Sequence, residues 1–177
     1  ASNKGIVVLV RVKGVGGLAY AVGKVLDPDS GAFELQGVDS TSMKGTFVSG
    51  TVQVVALGAQ ASTFQEVTPS GGEAPDVNIT TIHPIPHFDM PGKAAPLVYT
   101  FGSLWIPGDP ALVALNAASL AKSVRVVQFE WPDGTEILFA GIPSVTMAPG
   151  GTAGNAVTTP VKINVRGPLS WYAGAEA

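Results

Sequence analysis

Apolar positions along this chain come in short runs with a period of two, separated by Gly, Pro and Asp. Ile6 to Val12 is the first run, and four of its seven residues are Val and one Ile, which favours a strand. Residues 18–26 form a second, with Tyr20, Val22, Val25 and Leu26. Gly14-Val15-Gly16-Gly17 separates the two. Asp27-Pro28-Asp29-Ser30-Gly31 predicts a turn, because Pro presets φ and Gly accepts positive φ. Phe33 to Val38 reads as a short strand, and residues 39–45 are polar and small. Thr46 to Leu57 returns to strand character through Val48, Val52, Val54 and Val55, with a bulge or bend expected at Gly50. Thr63 to Val67 is a further short run.

Residues 68–96 are the least regular stretch and hold Pro69, Pro75, Pro84, Pro86, Pro91 and Pro96. A strand is expected to start within Asp76 to Ile82. The prolines after it predict a long projecting loop over 83–96. Leu97 to Ile106 follows as a strand with both faces apolar, so both are expected to be covered. Asp109 to Ala121 is the one helix predicted. Asp109 suits the N-cap, Pro110 the first helical position, and Lys122 the negative end of the helix dipole. Val124 to Trp131 and Thr135 to Phe139 flank Pro132-Asp133-Gly134, a strong hairpin signal. Gly141 to Met147 continues the return strand, and Ala148 to Asn155 is turn-like. Val157 to Arg166 alternates Val161, Ile163 and Val165 against Lys162, Asn164 and Arg166. Gly167-Pro168 is expected to stop it and leave 169–177 as a short tail.

This order predicts a mainly β chain: an antiparallel β-sandwich or partly closed barrel with one flanking α-helix. A single domain over 1–177 is expected, with projecting loops near 27–46 and 68–96. Composition agrees. Gly (22) and Pro (14) argue against long helices, and there is no collagen period. Hydrophobic residues are 46%, which excludes a disordered chain. Charge changes the picture more. Only 13% of residues are charged, against about 25% in an ordinary domain. A free monomer keeps a charged coat, so this shortage asks for a reason.

Net charge is −3, and no basic cluster is denser than Lys4, Arg11 and Lys13. Gripping nucleic acid by its phosphates is therefore not expected. The absence of cysteine excludes disulfides, thiolate metal sites and a Cys nucleophile. Ile6 to Val10 is too short for a signal peptide or a membrane helix, so no targeting segment and no membrane contact are expected.

Catalytic candidates are few. His83 and His87 flank Pro84-Ile85-Pro86, with Asp89 nearby. Two prolines forbid the helix that would align the histidines as ligands, so the segment reads as a surface loop and no metal is expected. Gly14-Val15-Gly16-Gly17 lacks the glycine spacing and following helix of a dinucleotide site. Asp27 with Asp29, and Glu130 with Asp133 and Glu136, fit turn chemistry better than acid–base catalysis. Trp105, Trp131 and Trp171 could form a sugar platform, although packing is the commoner use. No enzyme activity and no cofactor are expected.

One set of motifs occurs in a telling order. It runs Leu97-Val98-Tyr99-Thr100-Phe101, Trp105-Ile106-Pro107-Gly108, the Ala/Leu-rich helix 109–121, and Phe129-Glu130-Trp131-Pro132-Asp133-Gly134-Thr135. Phe139-Ala140-Gly141, Thr158 to Val165 and Arg166-Gly167-Pro168 complete it. Over residues 97–168 this resembles the core of the major tail tube proteins of long, flexible-tailed, lambda-like bacteriophages. The strands before residue 65 read as an elaboration on that core.

The resemblance implies a structural virion protein that forms hexameric rings. The rings would stack into a hollow tube that delivers DNA to the host. It implies a place in the phage tail after assembly in the bacterial cytoplasm. Partners would be other copies of itself, the tape measure, the tail terminator and the distal tail protein, with DNA passing through the lumen unbound. An inter-ring contact loop is expected at His83, Pro84, Pro86, His87, Asp89 and Pro91. A secretion-system-like tube ring or a tail adaptor is the related alternative, and a carbohydrate-binding β-sandwich module the unrelated one.

Overall fold

The computed structural model describes residues 5–29, 32–78 and 89–174. Four strands form the first sheet: β1 (Val7–Val15), β2 (Ala21–Asp29), β3 (Ala32–Gln36) and β4 (Gly45–Val54), in the order β3-β2-β1-β4. Five form the second: β5 (Phe64–Ser70), β8 (Val98–Leu104), β9 (Arg125–Glu130), β10 (Glu136–Val145) and β11 (Thr158–Tyr172), in the order β5-β8-β11-β10-β9. A pair, β6 (Asp76–Asn78) and β7 (Asp89–Pro91), stands apart. All pairings are antiparallel. The helix α1 (Pro110–Leu120) lies between β8 and β9 in the chain.

The second sheet is the middle layer. Alternation along β10 sends Ile137 and Phe139 to the α1 side, where they pack with Phe101, Leu112, Val161 and Ile163. The intervening Leu138 and Ala140 pack with Val7, Leu9 and Val22 of the first sheet. An apolar run without alternation is what a strand covered on both faces requires. Aromatic rings fill the helix side: Phe64 stacks on Phe101 at 4.9 Å and Tyr99 on Phe139 at 5.1 Å. The Asp109 carboxylate accepts the Leu112 N–H at 2.9 Å and caps α1. At the other end Lys122 adopts φ 49°, and Ser123 N–H reaches the Ala118 carbonyl at 3.0 Å, closing the helix in a Schellman-type turn.

The two sheets are clasped at one corner. Tyr172 Oη donates to the Gln36 carbonyl at 2.6 Å and accepts the Lys24 N–H at 2.8 Å. Lys24 Nζ lies 4.8 Å from the centre of the Tyr172 ring and pairs with Glu136. Ser170 Oγ donates to the Val22 carbonyl.

Several expectations change. Gly167-Pro168 does not end the last strand: β11 continues to Tyr172, and Ser170 and Tyr172 are buried. A register shift absorbs the interruption, and Gly167 at φ +84° permits an approach to Tyr20 whose carbonyl oxygen would lie 2.4 Å from a Cβ. The tail expected over 169–177 is thus strand through Tyr172, and 175–177 lie outside the described residues. The bulge falls at Gly14 rather than Gly50. Gly14 has φ +98°, the β1–β4 register shifts between Lys13 and Val15, and Gly50 pairs in register with Val12. The turn expected at 27–31 is shorter, since β2 runs through Asp27-Pro28-Asp29; Ser30 and Gly31 lie outside the described residues.

Two further corrections concern the surface. The face of β8 away from α1 is only half-covered: Thr100 and Gly102 are half-buried and help line a shallow open cleft of about 230 Å³ with Glu66, Thr68, Thr158 and Pro160. Within the stretch 83–96, residues 89–91 form β7, and 92–96, though not strand, are tied by backbone bonds to 72–75. Backbone bonds Gly72 N–H to Ala95, Ala95 N–H to Glu73 and Gly92 N–H to Pro75 carry the β5–β8 pairing outward into β6–β7. The result is a two-stranded ribbon, hereafter the arm.

Candidate assembly surface

The surface is defined by what the core leaves uncovered. In β4 every residue is exposed, because among the described residues no layer lies behind either of its faces. Phe47, Val48 and Val54 are about two-thirds exposed (65%, 66% and 66%), a level a core strand would not tolerate. Cross-strand pairing sets which residues share a face. Val10↔Val52, Val12↔Gly50 and Val8↔Val54 give one apolar face, while Arg11↔Thr51 and Lys13↔Ser49 give a polar, basic one. The sheet order leaves β4 as an edge, with one row of backbone groups unused by the ladder.

The arm has the same two-sided character with opposite charge. Val77↔Met90 places two exposed apolar side chains on one face. Asp76↔Pro91 and Asn78↔Asp89 place two carboxylates on the other. Its base is fixed by Gly71, at φ +82°, where a Cβ would meet the Pro96 carbonyl oxygen at 2.2 Å. A third apolar surface lies on α1. Its segment Pro110–Leu120 contains no charged residue, yet Val113 and Leu120 face outward. A helix apolar all round is normally buried all round.

Of the residues expected at an inter-ring loop, Asp89 and Pro91 lie in β7, at the arm. His83, Pro84, Pro86 and His87 lie outside the described residues. Among the described residues no cluster of three or more His, Asp or Glu could hold a metal. Pro132, Asp133 and Gly134 form the β9–β10 turn. Gly134 sits at φ 79°, and Asp133 accepts from Thr135 N–H and Oγ1–H, both at 2.9 Å. The Thr135 backbone N–H, and then its hydroxyl, hold the Asp133 carboxyl below the usual carboxylate range. Asp39 is lowered likewise, first by the Thr41 hydroxyl and then by its N–H. Both are exposed.

The tryptophans do not form one platform. Trp105 follows Leu104, which pairs with Thr158 at the start of β11, whereas Trp171 lies near the end of that strand. Their separation along β11 is on the order of 40 Å. Trp105 Nε1–H also donates to the Met147 carbonyl at 3.0 Å.

What remains is a subunit with open sheet edges and several separate apolar surfaces. Residues 14–174 match the family model described as phage tail tube protein, TTP. The chain belongs to the phage tail tube protein family. No curated protein matches it. The match begins at Gly14 and spans β2–β4 as well as the second sheet. Membership makes the chain a structural component of the virion tail. Among the described residues no helix is long and apolar enough to cross a membrane.

Sequence reasoning did not anticipate that β4 is exposed along its whole length. Its Val residues alternate with Ser, Thr and Gly as a half-buried strand would, and only the absence of a packed layer distinguishes it. The arm had a weak signal in the alternation of Asp76-Val77-Asn78.

Proposed function

We propose that copies of this tail tube protein close into hexameric rings, and that the rings stack into the hollow tube of a long, flexible tail of the lambda-like type. DNA travels through that tube during delivery to the host. The chief support is β4, an edge strand exposed on both faces and rich in Val and Phe. Left open, such a strand invites uncontrolled pairing. Closure of a ring occupies it in every copy at once, and contacts repeated along an axis extend the ring into a tube. The net charge of −3 supports a conduit that does not hold the passing DNA. Tape measure, terminator and distal tail proteins are the further partners, and assembly takes place in the bacterial cytoplasm.

Electron microscopy of the purified protein at rising concentration tests this reading. Uniform hollow tubes, six-fold in end-on averages, are the expected result. Monodisperse monomers at every concentration, with a tail initiator complex also present, would refute it.

A further inference from the structure

Two ribbons extend from the sheets and match one another. One is the arm, Gly71–Asn78 with Asp89–Leu97. The other, the wing, is the outer part of the β1–β4 pair, Arg11–Val15 with Gly45–Thr51. The described arm carries Glu73, Asp76 and Asp89 against Lys93. The wing carries Arg11 and Lys13, with Lys44 adjoining, and no carboxylate. Both ribbons are exposed.

The face pattern matters more than the charge count. In the arm, Val77 and Met90 share one face and the carboxylates take the other. Along β1–β4, Val12, Val52 and Val54 share one face, and Lys13 and Arg11 take the other, with Arg11 lying 5.6 Å from the centre of the Tyr20 ring. A strand added to a sheet edge sends alternate residues to the two faces. Adding the arm to β4 therefore puts apolar against apolar on one side and Asp76 and Asp89 beside the basic side chains on the other. Ser49 and Thr51, the β4 residues paired with Lys13 and Arg11, are short and leave Lys13 room to lean across to the edge. The edges fit as well, since among the described residues the sheet order leaves β4 as an edge strand and makes β6–β7 a separate two-stranded sheet.

We propose that the arm of one copy docks by strand addition on the β4 edge of the wing of another copy. This rests on the reading that copies of the chain assemble with one another, and it names the receptor for the arm.

The test uses the full chain. Lys13→Glu is expected to raise the concentration needed for half-maximal tube assembly about tenfold, because it sets like charges against Asp76 and Asp89. Adding Asp76→Lys to the same chain is expected to restore assembly. Circular dichroism of each variant below its assembly threshold verifies the fold. The chain has no cysteine, so a Val52→Cys, Val77→Cys double variant reports contact directly. Mild oxidation of assembled protein should yield a covalent ladder that neither single variant gives. Unchanged assembly of Lys13→Glu, or no rescue by Asp76→Lys, would overturn the proposal. So would a ladder from Val52→Cys with Leu35→Cys in place of Val77→Cys, since β3 would then occupy the edge. A wild-type chain that never assembles would instead remove the reading beneath it.

Discussion

Replacing Tyr172 by Phe isolates the clasp between the two sheets. The ring is 8% exposed and packs with Val7, Leu9, Val22, Leu138 and Ala140, and all of that is kept. Its position beneath Lys24 Nζ is kept too. The change removes only the hydroxyl, and with it the bonds to the Gln36 carbonyl and the Lys24 N–H. Each bond contributes about 1 kcal/mol net, and each partner left unpaired adds to the loss where water cannot reach it. The site is part-buried, so the expected destabilisation is about 2 kcal/mol. In a domain of this length that lowers Tm by about 4–8 °C. Thermal unfolding below the assembly concentration measures it, and amide exchange at Lys24 shows whether the change is local. Tyr172→Ala is the control, since losing the ring as well should cost about 3–5 kcal/mol. A Tm shift under about 1 °C for Tyr172→Phe, or no faster exchange at Lys24, would show that the hydroxyl does not join the sheets.

The remaining predictions concern the core, the helix cap and pH. Leu112→Ala opens a cavity among Phe101, Phe139 and Ile163 at a fully buried position, and chemical denaturation should show a loss of about 2–5 kcal/mol. Asp109→Ala leaves the Leu112 N–H without its acceptor and should cost about 0.5–2 kcal/mol, with Asp109→Asn costing less in the same titration. Burial holds the phenols of Tyr172 and Tyr99 above the usual tyrosine range. A raised folded-state value favours the protonated phenol in the fold, so this stability is complete below about pH 10 and lost as pH rises further. A Tm-versus-pH profile should fall above pH 10, and less steeply for Tyr172→Phe.

Features set by local chemistry were legible in the sequence. Asp109-Pro110 before an Ala/Leu run specifies a capped helix start through neighbouring groups alone. Trp131-Pro132-Asp133-Gly134 specifies its hairpin because the turn needs a positive φ at Gly134. Features set by distant partners were not. Gly167-Pro168 reads as a stop, and the strand continues only because Ser170 and Tyr172 find partners on β2 and β3, far back in the chain. The bulge illustrates the same limit. Gly14 and Gly50 look alike in the sequence, but only Gly14 has a neighbour, the Thr46 carbonyl, where a Cβ would come within 2.0 Å. The arm was hidden by its prolines, which interrupt the ladder without ending the pairing: Pro75 accepts from Gly92 N–H, and Pro91 pairs with Asp76. As for the assembly surface, alternation gives β4 two kinds of face but not what covers them.

The shortage of charge finds its explanation in where the exposed apolar residues lie. Val48, Val52 and Val54 are on an edge strand, Val77 and Met90 on the arm, and Val113 and Leu120 on the back of α1. These belong to three separate elements. A dimer with two-fold symmetry needs one self-complementary patch, and the rest of its surface can carry charge. A subunit in a tube meets neighbours beside, above and below it, so apolar surface is useful in several places at once. Removing charge from any one of those elements alone would produce a sticky monomer. Removing it from all of them, as in the uncharged span from Pro110 to Leu120 and the uncharged β4, fits a chain whose working state leaves few of its faces to water.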